Sequence, residues 1–184
     1  MPKRKGVSQE QNRRAICSAT VELICEGGLS HATVARISER AAVDRSTFYR
    51  NFGTREDAVR AWYSYITMDG VKSLPKHPMG RAEYLEHLFD GCWEHRGELL
   101  SLHAHGLTVL MLDSISSLFM QQMDPSSGIV EQEAMYYHIG GVFNSLKLWL
   151  DMGMNMDPHE FAYVCATVAD SGIIPAVLGN GRVG

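Results

Sequence analysis

Apolar side chains recur along this chain at three- and four-residue intervals, and no stretch shows the two-residue alternation of a strand. The first periodic run covers residues 8–26, with Ile16, Ala19, Leu23 and Ile24 on one face. Ser8 and Gln11 have the spacing of a capping box. Gly27-Gly28 ends the run, because glycine accepts the left-handed backbone that closes a helix. A short helix follows Thr33, with Val34, Ile37 and Ala41 inward, and a turn is expected at Ala42-Val43-Asp44. A third helix is predicted over 45–51 with Asp44 as N-cap, and a fourth after Thr54, where Asp57 completes a Thr-x-x-Asp cap. Val59, Tyr63, Ile66 and Gly70 mark its inner positions.

Two prolines, Pro75 and Pro78, break the pattern over 74–80, which reads as a loop and as the boundary of the body. Helical patterns resume over about 81–95, 97–105 and 106–123, and Asp124-Pro125-Ser126-Ser127-Gly128 is the next loop. A long helix is predicted over 129–153, stopping at Gly153. Asp157-Pro158-His159-Glu160 opens the last one, with Asp as cap, Pro at the first helical position and Glu three after the cap. The expected fold is all-α, with about nine helices. An N-terminal three-helix domain spans 1–53, a connecting helix 54–74, and a C-terminal helical ligand-binding and dimerisation domain 75–184.

Two short helices joined by a tight turn, the second rich in small polar and basic residues, read as a helix-turn-helix. In the third helix Phe48 and Phe52 are four apart and face the core, which turns the pairs Arg45/Tyr49 and Ser46/Arg50 away from it. Arginine grips guanine through a bidentate fork, and small hydroxyls approach a groove closely. Thr33 stands at a helix start, where amides and the helix dipole attract phosphate, and Arg55 begins the fourth helix within reach of a backbone phosphate.

Residues 9–62 carry a longer signature: Ala15-Ile16-Cys17-Ser18-Ala19 with Glu22-Leu23, Gly27-Gly28-Leu29, then Thr33-Val34-Ala35-Arg36-Ile37-Ser38-Glu39-Arg40-Ala41-Ala42-Val43. The densest part is Ser46-Thr47-Phe48-Tyr49-Arg50-Asn51-Phe52-Gly53-Thr54-Arg55-Glu56-Asp57. This stretch resembles the N-terminal domain of the TetR family of regulators. The resemblance implies DNA contacts from Thr33, Arg45, Ser46, Thr47, Tyr49, Arg50, Asn51 and Arg55. Two positions depart from the family: Ala32 where a threonine is frequent, and Ala42 where the turn often has glycine.

Charge adds to this picture. The whole chain is acidic, with a net charge of −4. Yet residues 1–60 hold 11 Lys and Arg against 7 Asp and Glu, a net +4, whereas the rest hold 6 against 14, a net −8. A basic head on an acidic body is expected where one end meets phosphate. The basic start at Lys3, Arg4 and Lys5 is followed by no apolar signal core, so a cytoplasmic protein without a membrane partner is expected. The four cysteines, Cys17, Cys25, Cys92 and Cys165, form no Cys-x-x-Cys pair and read as buried or half-buried thiols.

The predicted long helix is apolar nearly all round, through Met135, Tyr136, Ile139, Val142, Phe143, Leu146, Leu148, Trp149 and Leu150, so it must be covered on most sides. With the last helix (Phe161, Val164, Cys165, Val168) it suits a four-helix homodimer interface through 129–153 and 157–178, or else monomer core. The Trp149-Leu150-x-x-Gly153 corner and the Asp157 cap resemble the same region of many TetR members. Trp93, His103, His105, Met111, Phe119 and Met123 are candidate walls of a small-molecule pocket. Cys92 and His95, one turn apart, raise metal sensing as an alternative, and a TetR-like regulator that binds a protein partner without its own DNA site is another. No phosphate loop, nucleophile elbow or paired carboxylates point to an enzyme, and no cofactor or resident metal is expected. The reading is a homodimeric repressor on inverted-repeat operator DNA, released by a small organic effector.

Overall fold

The computed structural model describes residues 8–170, and among these it is helical throughout. Nine helices are described: α1 (Gln9–His31), α2 (Val34–Arg40), α3 (Arg45–Asn51), α4 (Arg55–Ser73), α5 (Arg81–Glu94), α6 (Arg96–Ala104), α7 (Val109–Gln122), α8 (Ile129–Asp151) and α9 (Pro158–Asp170). The order and the loops match the reading of the apolar pattern. No helix among the described residues is long and apolar enough to cross a membrane.

The helix starts follow local chemistry. The Ser8 amide donates to Gln11 Oε1 at 2.8 Å and the Gln11 amide to Ser8 Oγ at 3.2 Å, the reciprocal pair expected from their spacing. Thr54 and Asp57 repeat it at α4, with distances of 2.9 and 3.1 Å. The Asp157 carboxylate accepts from the Glu160 amide at 3.0 Å, and Pro158 takes the first position of α9. Asp44 precedes α3 as expected but makes no side-chain cap bond; its carbonyl accepts from the Thr47 amide instead.

Gly27 and Gly28 interrupt α1, which continues as a last turn to His31. Gly28 has φ +76°, and a Cβ there would stand 2.7 Å from His105 Nε2. The left-handed backbone at this position is what calls for glycine, and the His105 side chain lies over it.

Three helices end in one hydrogen-bond pattern. After α2, Ala42 N–H donates to Glu39 O and Val43 N–H to Ser38 O. After α6, Gly106 donates to His103 O and Leu107 to Leu102 O. After α8, Gly153 donates to Leu150 O and Met154 to Trp149 O. Each is a Schellman closure, whose pivot residue must be left-handed. The pivots have φ +73° at Gly106, +72° at Gly153 and +53° at Ala42. The helix-turn-helix turn thus places a side chain where the other two ends use glycine.

One continuous core runs from Ile16 in α1 through Ala58, Val59, Trp62 and Tyr63 in α4 to Phe161 and Ala166 in α9. In the body α5 packs along α9, while α7 lies on α4 and α8. Trp149 sits at the centre of this half. It is fully buried, lies nearly parallel to Trp93 and Phe161 with centroids 5.7 and 4.9 Å away, and meets Phe89 edge-on. Its Nε1 donates to Met156 O at 3.0 Å, so the indole's one polar atom is satisfied. Arg96 donates to Gly153 O at 2.7 Å and ties the start of α6 to the same corner.

Two outcomes follow. Trp149→Ala is expected to cost about 3–5 kcal/mol of folding free energy in urea denaturation, the range for removing a buried large aromatic. Ala42→Gly is expected to stabilise the chain by about 0.5–1 kcal/mol, because relief of left-handed strain exceeds the added chain entropy of glycine. A lower urea midpoint for Ala42→Gly than for the parent would contradict the strain assigned to this turn.

Candidate nucleic-acid interface and internal cavity

The polarity of α3 is set by its two phenylalanines. Phe48 is fully buried and Phe52 nearly so, which turns Arg45, Ser46, Tyr49 and Arg50 to the surface, Tyr49 at 63 % exposure. Thr33 is exposed at the start of α2, and its Oγ1 accepts from the Arg36 amide at 3.4 Å.

Three other expected contact residues are engaged inside the head. Thr47 is buried, and its Oγ1 accepts from Arg50 Nη2 at 2.7 Å. Asn51 is half-buried; its Nδ2 donates to Thr47 O at 2.7 Å, while its carbonyl accepts from Arg13 Nη1 at 2.9 Å. Arg55 is half-buried and donates to Leu29 O at 2.7 Å, pinning the first turn of α4 to the end of α1. Thr47 and Asn51 belong to the resemblance, whereas the helical period alone had singled out the four exposed side chains.

Much of the head's positive charge is likewise paired within the chain. Arg13 lies over the Phe52 ring at 4.5 Å. Arg14 pairs with Asp69 at 2.9 Å and holds that carboxyl below its ordinary range. Arg40 bridges Glu26 at 2.8 Å and Glu22 at 3.2 Å, and Arg60 meets Asp57 at 2.9 Å. The exposed arginines on α2 and α3 outside such carboxylate pairs are Arg36, Arg45 and Arg50, of which Arg36 meets His31 Nδ1 at 2.7 Å. Lys3, Arg4 and Lys5 lie outside the described residues.

The body contains a cavity of about 80 Å³ between α4, α5, α7 and α8. Its wall is apolar, built from side chains such as Ile66, Leu88, Ile115, Ile139, Val142 and Phe143. Of the six candidate wall residues, Met111 and Phe119 line it. The other four do not. Trp93 stacks on Trp149 and carries Arg96 over its outer face. His103 lies between Asp151 Oδ1 and Thr108 Oγ1, each at 3.0 Å. His105 sits over Gly28, and Met123 caps the end of α7. Sequence reasoning missed Tyr84 and His138, whose Oη and Nε2 meet at 2.9 Å across α5 and α8 beside the cavity. Burial raises the Tyr84 phenol; burial and then Arg81 lower the His138 imidazolium. The pair is 54 residues apart in sequence, so no local spacing signals it.

Cys92 also lines the cavity, and burial pushes its thiol up to about 12, so it is protonated at neutral pH. Of the four thiols expected to be buried or half-buried, Cys25 is instead exposed. His95 packs edge-on against Trp62, with centroids 5.4 Å apart. Among the described residues no three His, Cys, Asp or Glu side chains converge to hold a metal ion.

The long helix α8 is two-sided. Ile139, Phe143, Leu146, Trp149 and Leu150 face the chain's own core, whereas Tyr136, Tyr137 and Leu148 are exposed. Leu146 belongs to the cavity wall. On α9, Phe161 and Ala162 face inward and Tyr163 and Val164 outward. A Cβ on Gly140 or Gly141 would meet nothing within 4 Å. Residues 171–178 of the expected interface lie outside the described residues.

No curated protein matches the chain. The fatty acid degradation regulator FadR from Bacillus halodurans shares the fold, with a TM-score of 0.55 over 93 % of this chain and 98 % of that one, at 19 % identity. Residues 16–61 match the family model of bacterial regulatory proteins of the tetR family. That segment runs from the core of α1 through the exposed face of α3 into α4, so the chain's helix-turn-helix head is similar to the N-terminal domain of bacterial regulatory proteins of the tetR family.

Proposed function

We propose that the chain is a homodimeric repressor whose heads bind an inverted-repeat operator and whose body releases them when a small apolar effector enters the cavity. The observation that carries the DNA-binding half is the outward face of α3, with Arg45, Ser46, Tyr49 and Arg50 exposed beside Thr33. In this reading Arg45 and Arg50 read base edges, Tyr49 and Thr33 hold phosphates, and Ser46 gives close approach to the groove. Thr47, Asn51 and Arg55 keep α3 and α4 in register beneath that face.

The regulatory half rests on α4. Arg55 at its start holds the end of α1, while Ile66, Thr67 and Gly70 near its other end line the cavity. An effector that widens the cavity displaces the helix that carries the head. It releases DNA to the extent that it binds the displaced arrangement more tightly than the DNA-bound one. The similar fold is that of a fatty acid degradation regulator, and an apolar cavity accords with an apolar effector here. Residues 1–53, 54–74 and 75–184 then act as DNA-binding head, connecting helix, and ligand-binding and dimerising body. Dimerisation is assigned to the exposed apolar side chains of α8 and α9.

Selection of bound DNA from a random pool is expected to return an inverted repeat. Its half-sites should be separated by roughly 34–36 Å or a multiple, one helical turn apart on one face of the duplex. Arg45→Ala is expected to relax preference at one base position at a cost of about 1–3 kcal/mol there. A pool of asymmetric single half-sites would refute the two-headed dimer.

The dimer surface has its own check. Leu148 is 55 % exposed in the single chain, so Leu148→Glu is expected to give a folded monomer by circular dichroism and light scattering. Leu146→Glu is expected to unfold the chain, because a buried unpaired charge costs several kcal/mol. A Leu148→Glu protein that stays dimeric at micromolar concentration places the interface elsewhere.

A further inference from the structure

Among the described residues, the cavity wall contains no Asp, Glu, Lys or Arg. A formal charge carried into the apolar part of that wall would be buried against hydrocarbon without a partner, which strongly disfavours it. Polarity is concentrated where Tyr84 of α5 meets His138 of α8, with Thr67 and Cys92 contributing further weak polar groups to the lining. His138 is exposed, which puts this pair at the cavity's rim.

The pair has a definite hydrogen-bonding character. If Tyr84 donates to His138 Nε2, the phenol oxygen keeps lone pairs for a ligand donor. If Nε2 carries the proton, it donates to Tyr84, which then donates and accepts in turn. A ligand hydroxyl, being both donor and acceptor, suits either tautomer, whereas a carbonyl suits only the second. The lowered imidazolium pKa of His138 is consistent with a neutral ring. The charge of Arg81 on α5 reaches the His138 ring, and that residue is exposed and outside the wall.

We infer that the cavity takes a small uncharged apolar molecule bearing one hydroxyl, which docks on the Tyr84–His138 pair, and that it rejects the corresponding carboxylate and ammonium. The inference rests on the cavity being the effector site.

The test is isothermal titration of the full chain with 1-hexanol, hexanoate, hexylammonium and 1-chlorohexane. These share one alkyl tail and differ at its end, and at about pH 8 both ions carry their full charge. Hexanol is expected to bind at least tenfold more tightly than either ion. Tyr84→Phe should weaken hexanol about three- to tenfold, the range for one hydrogen bond, and leave chlorohexane unchanged. Hexanoate or hexylammonium binding as tightly as hexanol overturns the inference, as does no binding of hexanol. Equal weakening of hexanol and chlorohexane in Tyr84→Phe overturns it too, since that pattern means altered packing. If hexanoate binds and Arg81→Gln abolishes it, the acid is held at the rim by that arginine. Failure of the underlying site reading has a separate signature: hexanol binds, yet the cavity-filling Val142→Phe, shown folded by its melting curve, does not reduce it.

Discussion

The shared packing of α4 is the constraint on which the other relations in this molecule depend. One helix fills the head's core with Ala58 and Val59, holds the end of α1 through Arg55, and then forms part of the cavity wall with Ile66 and Thr67. Its start is fixed by the Thr54–Asp57 pair, so it cannot fray at the end that carries the head. Under the proposed function, a ligand that shifts the cavity wall moves α4, and the close packing of that helix against α1 carries the shift toward the head. The Gly28–His105 contact is a second point at which the head's α1 meets the end of α6.

The head shows how charge is divided between holding a fold and presenting a surface. Five arginines, at 13, 14, 40, 55 and 60, have their guanidinium groups directed to carboxylates, backbone carbonyls or ring faces. Exposed pairs of this kind contribute little stability each, commonly about 0–1 kcal/mol. Their consequence here is positional: Arg13 and Arg55 set where α3 and α4 sit relative to α1. Among the described residues, the arginines left exposed on α2 and α3 are few and lie on one face, which under the proposed function favours base reading over diffuse attraction.

In the body, sequence pattern and tertiary arrangement part company at α8. Its apolar residues cover nearly the whole circumference, and such a helix must be covered on most sides. The fold divides that circumference: Ile139, Phe143 and Trp149 pack on the chain itself, and Tyr136, Tyr137 and Leu148 remain outside. The inner side carries two kinds of surface, a dense aromatic stack around Trp149 and a cavity wall through Ile139, Val142 and Leu146. The hydrophobic effect rewards burial without specifying a partner, so one apolar stripe serves core, cavity and exposed face alike.

What the sequence determined by itself was most of what neighbours within about one helical turn govern, the Asp44 cap and the end of α1 excepted. Caps at Ser8, Thr54 and Asp157, the glycine stop at Gly153, and the inward turn of Phe48 and Phe52 depend on spacings of three or four residues, which the chain displays directly. The outward set Arg45, Ser46, Tyr49 and Arg50 followed from that same period. Only the tertiary structure decided that Arg55 binds Leu29, that Thr47 faces inward, that His103 and His105 brace helices instead of lining the cavity, and that Tyr84 meets His138. Those are meetings between elements distant along the chain. Their partners are set by how helices stack, and helical periodicity gives the face of a side chain without naming what that face will meet.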